Sequence, residues 1–171
     1  IDIREYGSGS TGATNVLRHL GKWPALIVFR VDVGKGVSSV LICKAIFSND
    51  LLHVLAGLSA LSGHIWPVWL RGKGGKAVAT GLGMFLGLSW PVGLGAFGIF
   101  LLIFSISKIV SLSSLIAAIS LPILMTLNFE SHLKMAYISV SFAATGLVIW
   151  RHRNNIRRLL QGKEPQIGQS K

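Results

Sequence analysis

Charge is the scarcest feature of this sequence. Only 13% of its 171 residues are Asp, Glu, Lys or Arg, against roughly 25% in soluble domains. Residues 77–107, 109–129 and 135–150 contain none of the four. Uncharged runs of that length read as membrane-spanning helices and exclude a soluble globular enzyme. A hydrophobic content of 51% excludes a disordered tail, and the 20 glycines follow no collagen-like period. Cysteine is nearly absent too. Cys43 stands alone, so no internal disulfide can form and nothing points to an oxidising compartment. No charged n-region followed by an apolar h-region opens the chain, so no signal peptide is expected.

What is present is apolar sequence in helix-length pieces. The expected fold is all-α, a polytopic transmembrane helical bundle forming a single domain over residues 1–171. Residues 1–21 are polar and glycine-rich and lie outside the hydrocarbon. Spans are expected at residues 23–47, 51–70, 109–127 and 135–150. Residues 77–107 form either one long helix or two short ones broken at Ser89-Trp90-Pro91, because proline suits the first turn of a new helix. The first span is unusual in carrying Arg30, Asp32 and Lys35. Either a polar cavity or an Asp32–Lys35 pair at i,i+3 accommodates them, or the helix begins near Gly36 and these charges are interfacial.

The basic residues decide between one helix and two. With a break at Ser89, one side of the membrane collects Arg4, Arg18, Lys22, Arg71, Lys73, Lys76, Lys108, Arg151, Arg153, Arg157, Arg158, Lys163 and Lys171, thirteen of the 17 Lys and Arg. Lys44 and Lys134 face the other side. Without the break, Lys108 and the tail cross over and the asymmetry collapses. The positive-inside rule therefore favours six spans with both ends cytoplasmic. The net charge of +11 is then a membrane signal and a cationic pocket, and no nucleic-acid surface is expected.

Three polar segments share the basic side. In Gly7-Ser-Gly-Ser-Thr-Gly-Ala-Thr-Asn-Val-Leu-Arg18, the spacing of Gly7, Gly12 and Thr14 matches a P-loop, but Ala13 occupies the lysine position. What remains is glycine freedom, hydroxyl donors and a helix starting near Thr14, all suited to an anion, with Arg18 on the Thr14 face. A glycine/serine linker is the alternative. The second segment, Gly72-Lys-Gly-Gly-Lys-Ala-Val-Ala-Thr80, adds lysines to the same design, beyond what a topology signal needs. In the third, residues 151–164, His152 and Asn155 share a helical face between Arg151 and Arg158. A basic helix lying on anionic lipid is the alternative there.

Together with Asp2-Ile-Arg, Asp32-x-x-Lys-Gly36, Gly63-His-x-x-Pro67 and Gly162-x-Glu164, these segments resemble the acyl-phosphate-dependent glycerol-3-phosphate acyltransferase family of bacteria, PlsY. The resemblance covers nearly the whole chain. Three departures stand out: Ala77 replaces a usual glycine, Arg30 replaces an apolar residue, and the family's first span is not found before Ile1, so seven helices are expected with it.

The resemblance implies transfer of a fatty acyl group from acyl phosphate to the 1-hydroxyl of sn-glycerol 3-phosphate. The products would be lysophosphatidic acid and phosphate, in the first acylation step of bacterial phospholipid biosynthesis. It implies a multi-pass protein of the bacterial cytoplasmic membrane with its site facing the cytoplasm. By the same carry-over, Ser8, Gly9, Gly12, Thr14 and Asn15 cradle a phosphate, Arg18 forks onto phosphate oxygens, and Lys76 supplies a point charge. Lys73 is a weaker candidate nearer the rim. His152 and Asn155 orient the glycerol moiety or the attacking hydroxyl, with His152 or a substrate phosphate oxygen as base. Glu164 braces the basic tail. No cofactor, no metal and no obligate protein partner is expected, since few carboxylates lie near this side to hold Mg²⁺. A transporter or channel for a phosphorylated anion is the alternative, although no internal repeat is visible. A membrane lipid kinase is disfavoured by the missing P-loop lysine.

Overall fold

The computed structural model describes residues 1–128 and 135–168. Lys134 and Lys171, both assigned a side by the charge count, lie outside the described residues. The chain forms two compact units, Ile1–Leu88 and Ser89–Lys171. Every element among the described residues is helical: α1 (Ala13–Leu20), α2 (Lys22–Ile46), α3 (Asp50–Ile65), α4 (Val78–Leu88), α5 (Trp90–Ser107), α6 (Val110–Leu127), α7 (Met135–Arg151) and α8 (Arg153–Leu160), with short 3-10 turns at Ile3–Glu5 and Val68–Leu70.

Helices α2 to α7 fall where the six spans were expected. The break in residues 77–107 is real. Ser89 is extended at φ −150° and ψ 98°, and Pro91 sits in the first turn of α5, where its missing N–H leaves no helical bond unmade. Three segments are long and apolar enough to cross a membrane, Asp50–Leu70, Trp90–Ser107 and Val110–Leu127, while Val78–Leu88 and Met135–Arg151 are shorter apolar helices. Outward faces are aliphatic, as with Ile27, Val31, Ile42 and Ile46 on α2. The interior instead buries hydroxyls. Ser113, Ser114 and Ser141 are buried and return their protons to helix carbonyls, while Thr145 Oγ1 donates across to Ala118 O on α6 at 2.6 Å. Aliphatic outside and hydroxyl inside is the packing that lipid favours.

In the first unit, α2 is continuous through Arg30, Asp32 and Lys35, so no helix starts at Gly36. Asp32 is buried beside Lys35, as the i,i+3 reading expected, whereas Arg30 is exposed. Helices α2 and α4 run parallel and nearly touch. A Cβ at Gly36 would strike the Thr80 and Met84 backbone, and one at Gly83 would strike Val33 O. Further along, Lys44 Nζ donates to Leu88 O at 2.8 Å, satisfying a carbonyl at the end of α4. The pairing of Gly36 with Thr80 places the start of α4 about 15 Å below the start of α2, from the rise of a helix over about ten residues. The α3–α4 loop is thereby recessed, and the short α4 is the cause.

In the second unit, α6 runs antiparallel to α5 and α7. The α5–α6 junction receives the tail: Ile167 N donates to Lys108 O at 2.9 Å, and Ser111 Oγ, in the first turn of α6, donates to Glu164 Oε1 at 2.7 Å. Each unit thus gathers its basic segments at one end, as the charge count expected.

Candidate active site

The first segment is a loop folded onto its own helix. Asp2 caps the opening turn, and Arg4 forks onto its carboxylate at 2.5 to 3.1 Å. That hydrogen-bonded guanidinium holds the Asp2 carboxyl at about 2. The chain then turns through Gly7 (φ 57°) and Gly9 (φ 65°), left-handed conformations that a side chain resists. Gly12 precedes α1 in an extended conformation, so the loop runs directly into a helix N-terminus.

Asn15 holds this loop in shape. It is buried, its Nδ2 lies 3.0 to 3.1 Å from the carbonyls of Ile3, Tyr6 and Ser10, and its Oδ1 accepts from Ser8 N at 3.2 Å. Its amide is directed at the loop backbone, which differs from the phosphate-cradling position expected of it. Ser8 is exposed, Gly9, Gly12 and Thr14 are half-buried, and Arg18 is exposed on α1.

The second segment is fastened to the end of α3. Gly74 N donates to Ile65 O at 3.1 Å and Gly75 N to His64 O at 3.2 Å. Lys73 is exposed and Lys76 half-buried. Ala77 is left-handed at φ 60° and buried. A conformation that favours glycine explains why an alanine here departs from the family pattern.

The third segment belongs to the second unit. His152 is buried between α7 and α8, and its Nδ1 is 2.8 Å from Val148 O. A carbonyl only accepts, so Nδ1 carries the proton and the neutral ring has its lone pair on Nε2. Asn155 is buried and donates through Nδ2 to Glu164 Oε1 at 2.5 Å. Glu164 also accepts from Ser111 and, at 2.7 Å, from Arg158 Nε. Burial pushes the Glu164 carboxyl up, but the hydrogen bonds from Arg158, Ser111 and Asn155 outweigh it and hold it below the ordinary carboxylate range. Glu164 is the brace the sequence suggested, and its grip extends to Asn155. Sequence reasoning missed that Asp32 and Lys35 meet His64 on α3. The short motifs around each were visible, but no local pattern pairs residues so far apart.

Helices that face lipid with aliphatic side chains, bury hydroxyls and collect cations at one end define an integral membrane protein. Residues 1–162 match the family described as glycerol-3-phosphate acyltransferase. The chain belongs to this glycerol-3-phosphate acyltransferase family and is an acyltransferase. It is 64% identical over 170 residues to the glycerol-3-phosphate acyltransferase of Prochlorococcus marinus, covering 99% of this chain and 83% of that one. The protein of the same name from a Synechococcus strain is 63% identical over 169 residues, with the same two coverages. Among solved structures, it is similar to PlsY (YgiH), an integral membrane glycerol 3-phosphate acyltransferase, in its glycerol 3-phosphate form. That match has a TM-score of 0.92 at 39% identity, covering 98% of this chain and 83% of that one. The lysophosphatidic acid form of the same protein matches with a TM-score of 0.88 at 39% identity, covering 95% and 82%.

Proposed function

We propose that this protein transfers the acyl group of an acyl phosphate to the 1-hydroxyl of sn-glycerol 3-phosphate. The hydroxyl oxygen bonds to the acyl carbon, the acyl–phosphate C–O bond breaks, and the hydroxyl proton leaves. Lysophosphatidic acid and phosphate result. The observation that carries this reading is the pair of glycine-bearing loops in the first unit, each leading into a helix N-terminus and each followed or flanked by a cation. Two phosphate-bearing reactants are what such a pair suits. An acyl phosphate is already activated, so positioning and charge stabilisation suffice without an acyl-enzyme.

In this reading Ser8, Gly9, Gly12 and Thr14 present donors to phosphate, Asn15 keeps their loop in shape, Arg18 forks onto oxygens, and Lys76 supplies charge with Lys73 at the rim. His152 and Asn155 orient the glycerol moiety or its hydroxyl. The proton passes to His152 Nε2 or to a substrate phosphate oxygen. These segments face the cytoplasm from a bacterial inner membrane, without cofactor, metal or obligate protein partner, and residues 1–171 act as one functional domain.

The test is direct. Purified protein with acyl phosphate and glycerol 3-phosphate should yield lysophosphatidic acid and free phosphate, and acyl-CoA should not substitute. Comparable rates with acyl-CoA would reassign the donor. Movement of labelled glycerol 3-phosphate across vesicles without any product would reassign the protein as a transporter.

A further inference from the structure

One group of titratable side chains in the first unit is unused by this chemistry. Asp32 and His64 are buried between α2 and α3, their side chains 9% and 7% exposed. Lys35 Nζ lies 2.6 Å from Asp32 Oδ1 and 2.6 Å from His64 Nδ1. The same Asp32 oxygen is 3.3 Å from His64 Nδ1. An ammonium gives protons and has no lone pair. With Lys35 as an ammonium, the 2.6 Å contact is a hydrogen bond when His64 Nδ1 accepts, which places the ring proton on Nε2, whereas donation from Nδ1–H to Asp32 would set that proton against the ammonium.

The other edge of that ring meets the basic loop. A Cβ at Gly75 would collide with His64 Nε2, and one at Gly74 with the His64 carbonyl, so both glycines are required by close approach rather than by a turn. The two backbone bonds from Gly74 and Gly75 to the end of α3 tie the loop down at the same point. Lys76 is the next residue. The orientation of one imidazole thus bears on the path of the loop that carries this lysine.

We propose that Asp32, Lys35 and His64 form a positioning relay for the Gly74–Lys76 loop: Asp32 holds Lys35, Lys35 locks the His64 ring as its Nε2–H tautomer, and the locked ring sets the loop backbone that places Lys76. In this arrangement all three act through the loop. The proposal deepens the acyltransferase reading and rests on it only for the role of Lys76.

The experiment uses the full chain in detergent, labelled with ¹⁵N-histidine, with the His64 signal assigned by H64Q. The wild type should display the Nε2–H tautomer. In Lys35→Met the ammonium is gone, Asp32 is the remaining partner of Nδ1, and the signal should change to the Nδ1–H form. Turnover should fall ~10-fold in that variant, less than the ~10²-fold expected for a positioning group displaced by 1 Å. Because the relay acts through Lys76, Lys35→Met should cost little further in a Lys76→Ala background. A wild-type Nδ1–H tautomer, an unchanged tautomer in Lys35→Met, or additive losses in the double variant would each overturn the relay. If Lys35→Met does not stay monodisperse, the wild-type tautomer alone decides. A wild type without acyltransferase activity would refute the functional reading and leave the tautomer result standing.

Discussion

The candidate residues of the first unit are held largely by backbone: two left-handed glycines, an internal asparagine that gathers carbonyls, and a recessed loop pinned to the end of α3. Those of the second unit are held by side chains and a helix carbonyl, with His152 set by Val148 O and Asn155 by Glu164. Backbone donors fit a ligand whose shape is constant, such as phosphate, and are hard to alter by substitution. A side-chain network sets one orientation and one proton position, and a single substitution disturbs it. The difference predicts unequal sensitivity in the two units.

The largest effect is expected at the cations of the first unit. Lys76→Ala should lower turnover ~10²-fold or more, the size of losing one preorganised charge-stabilising donor, while Lys73→Ala at the exposed rim should be mild. Steady-state rates on folded protein check this, and equal mild losses would return the loop to a topology signal. Arg18→Lys should be nearly as damaging as Arg18→Ala, because a fork is replaced by a point charge. Retention of most activity by the lysine variant would remove the fork from the mechanism.

In the second unit the effect should be on stability and on pH. The folded Glu164 carboxyl lies below its ordinary value of 4.5. Its contribution is therefore fully present above that value and is lost as pH falls through the lower, folded pKa. Thermal unfolding in detergent should be flat in this respect at neutral pH and decline in acid below 4.5. Glu164→Gln should lower stability at neutral pH and blunt the acid decline. An unaltered pH profile in that variant would mean the brace is not ionic. The smallest effect, and the only gain, belongs to Ala77→Gly. Relief of a buried left-handed alanine should raise stability by about 1 kcal/mol. A lower melting temperature would show that the alanine methyl packs better than its backbone strains.

Much of this was legible in the sequence because lipid imposes simple rules. Uncharged runs located α4 to α7, the count of basic residues favoured the break at Ser89, and the left-handed geometry of residue 77 is the physical content of a glycine position filled by alanine. The segments around Arg18, Lys76 and His152 stood out because glycine and cations are unusual beside spans. The charges within α2 were only half legible. Spacing offered the Asp32–Lys35 pair, but an interfacial start near Gly36 explained the same residues equally well.

The sequence by itself determined a helical membrane protein and the order of its spans, since both follow from hydropathy and local backbone preference. Tertiary structure alone decided that Asn15 turns inward to its own loop, that Glu164 grips Asn155, and that His64 joins Asp32 and Lys35 beneath Gly75. The reason is physical. A side chain's hydrogen-bond partner is set by where the folded chain brings other groups: Asn15 meets its own loop, the tail carries Glu164 back to α6 and α8, and α3 carries His64 to Lys35 on α2, placements no local pattern encodes.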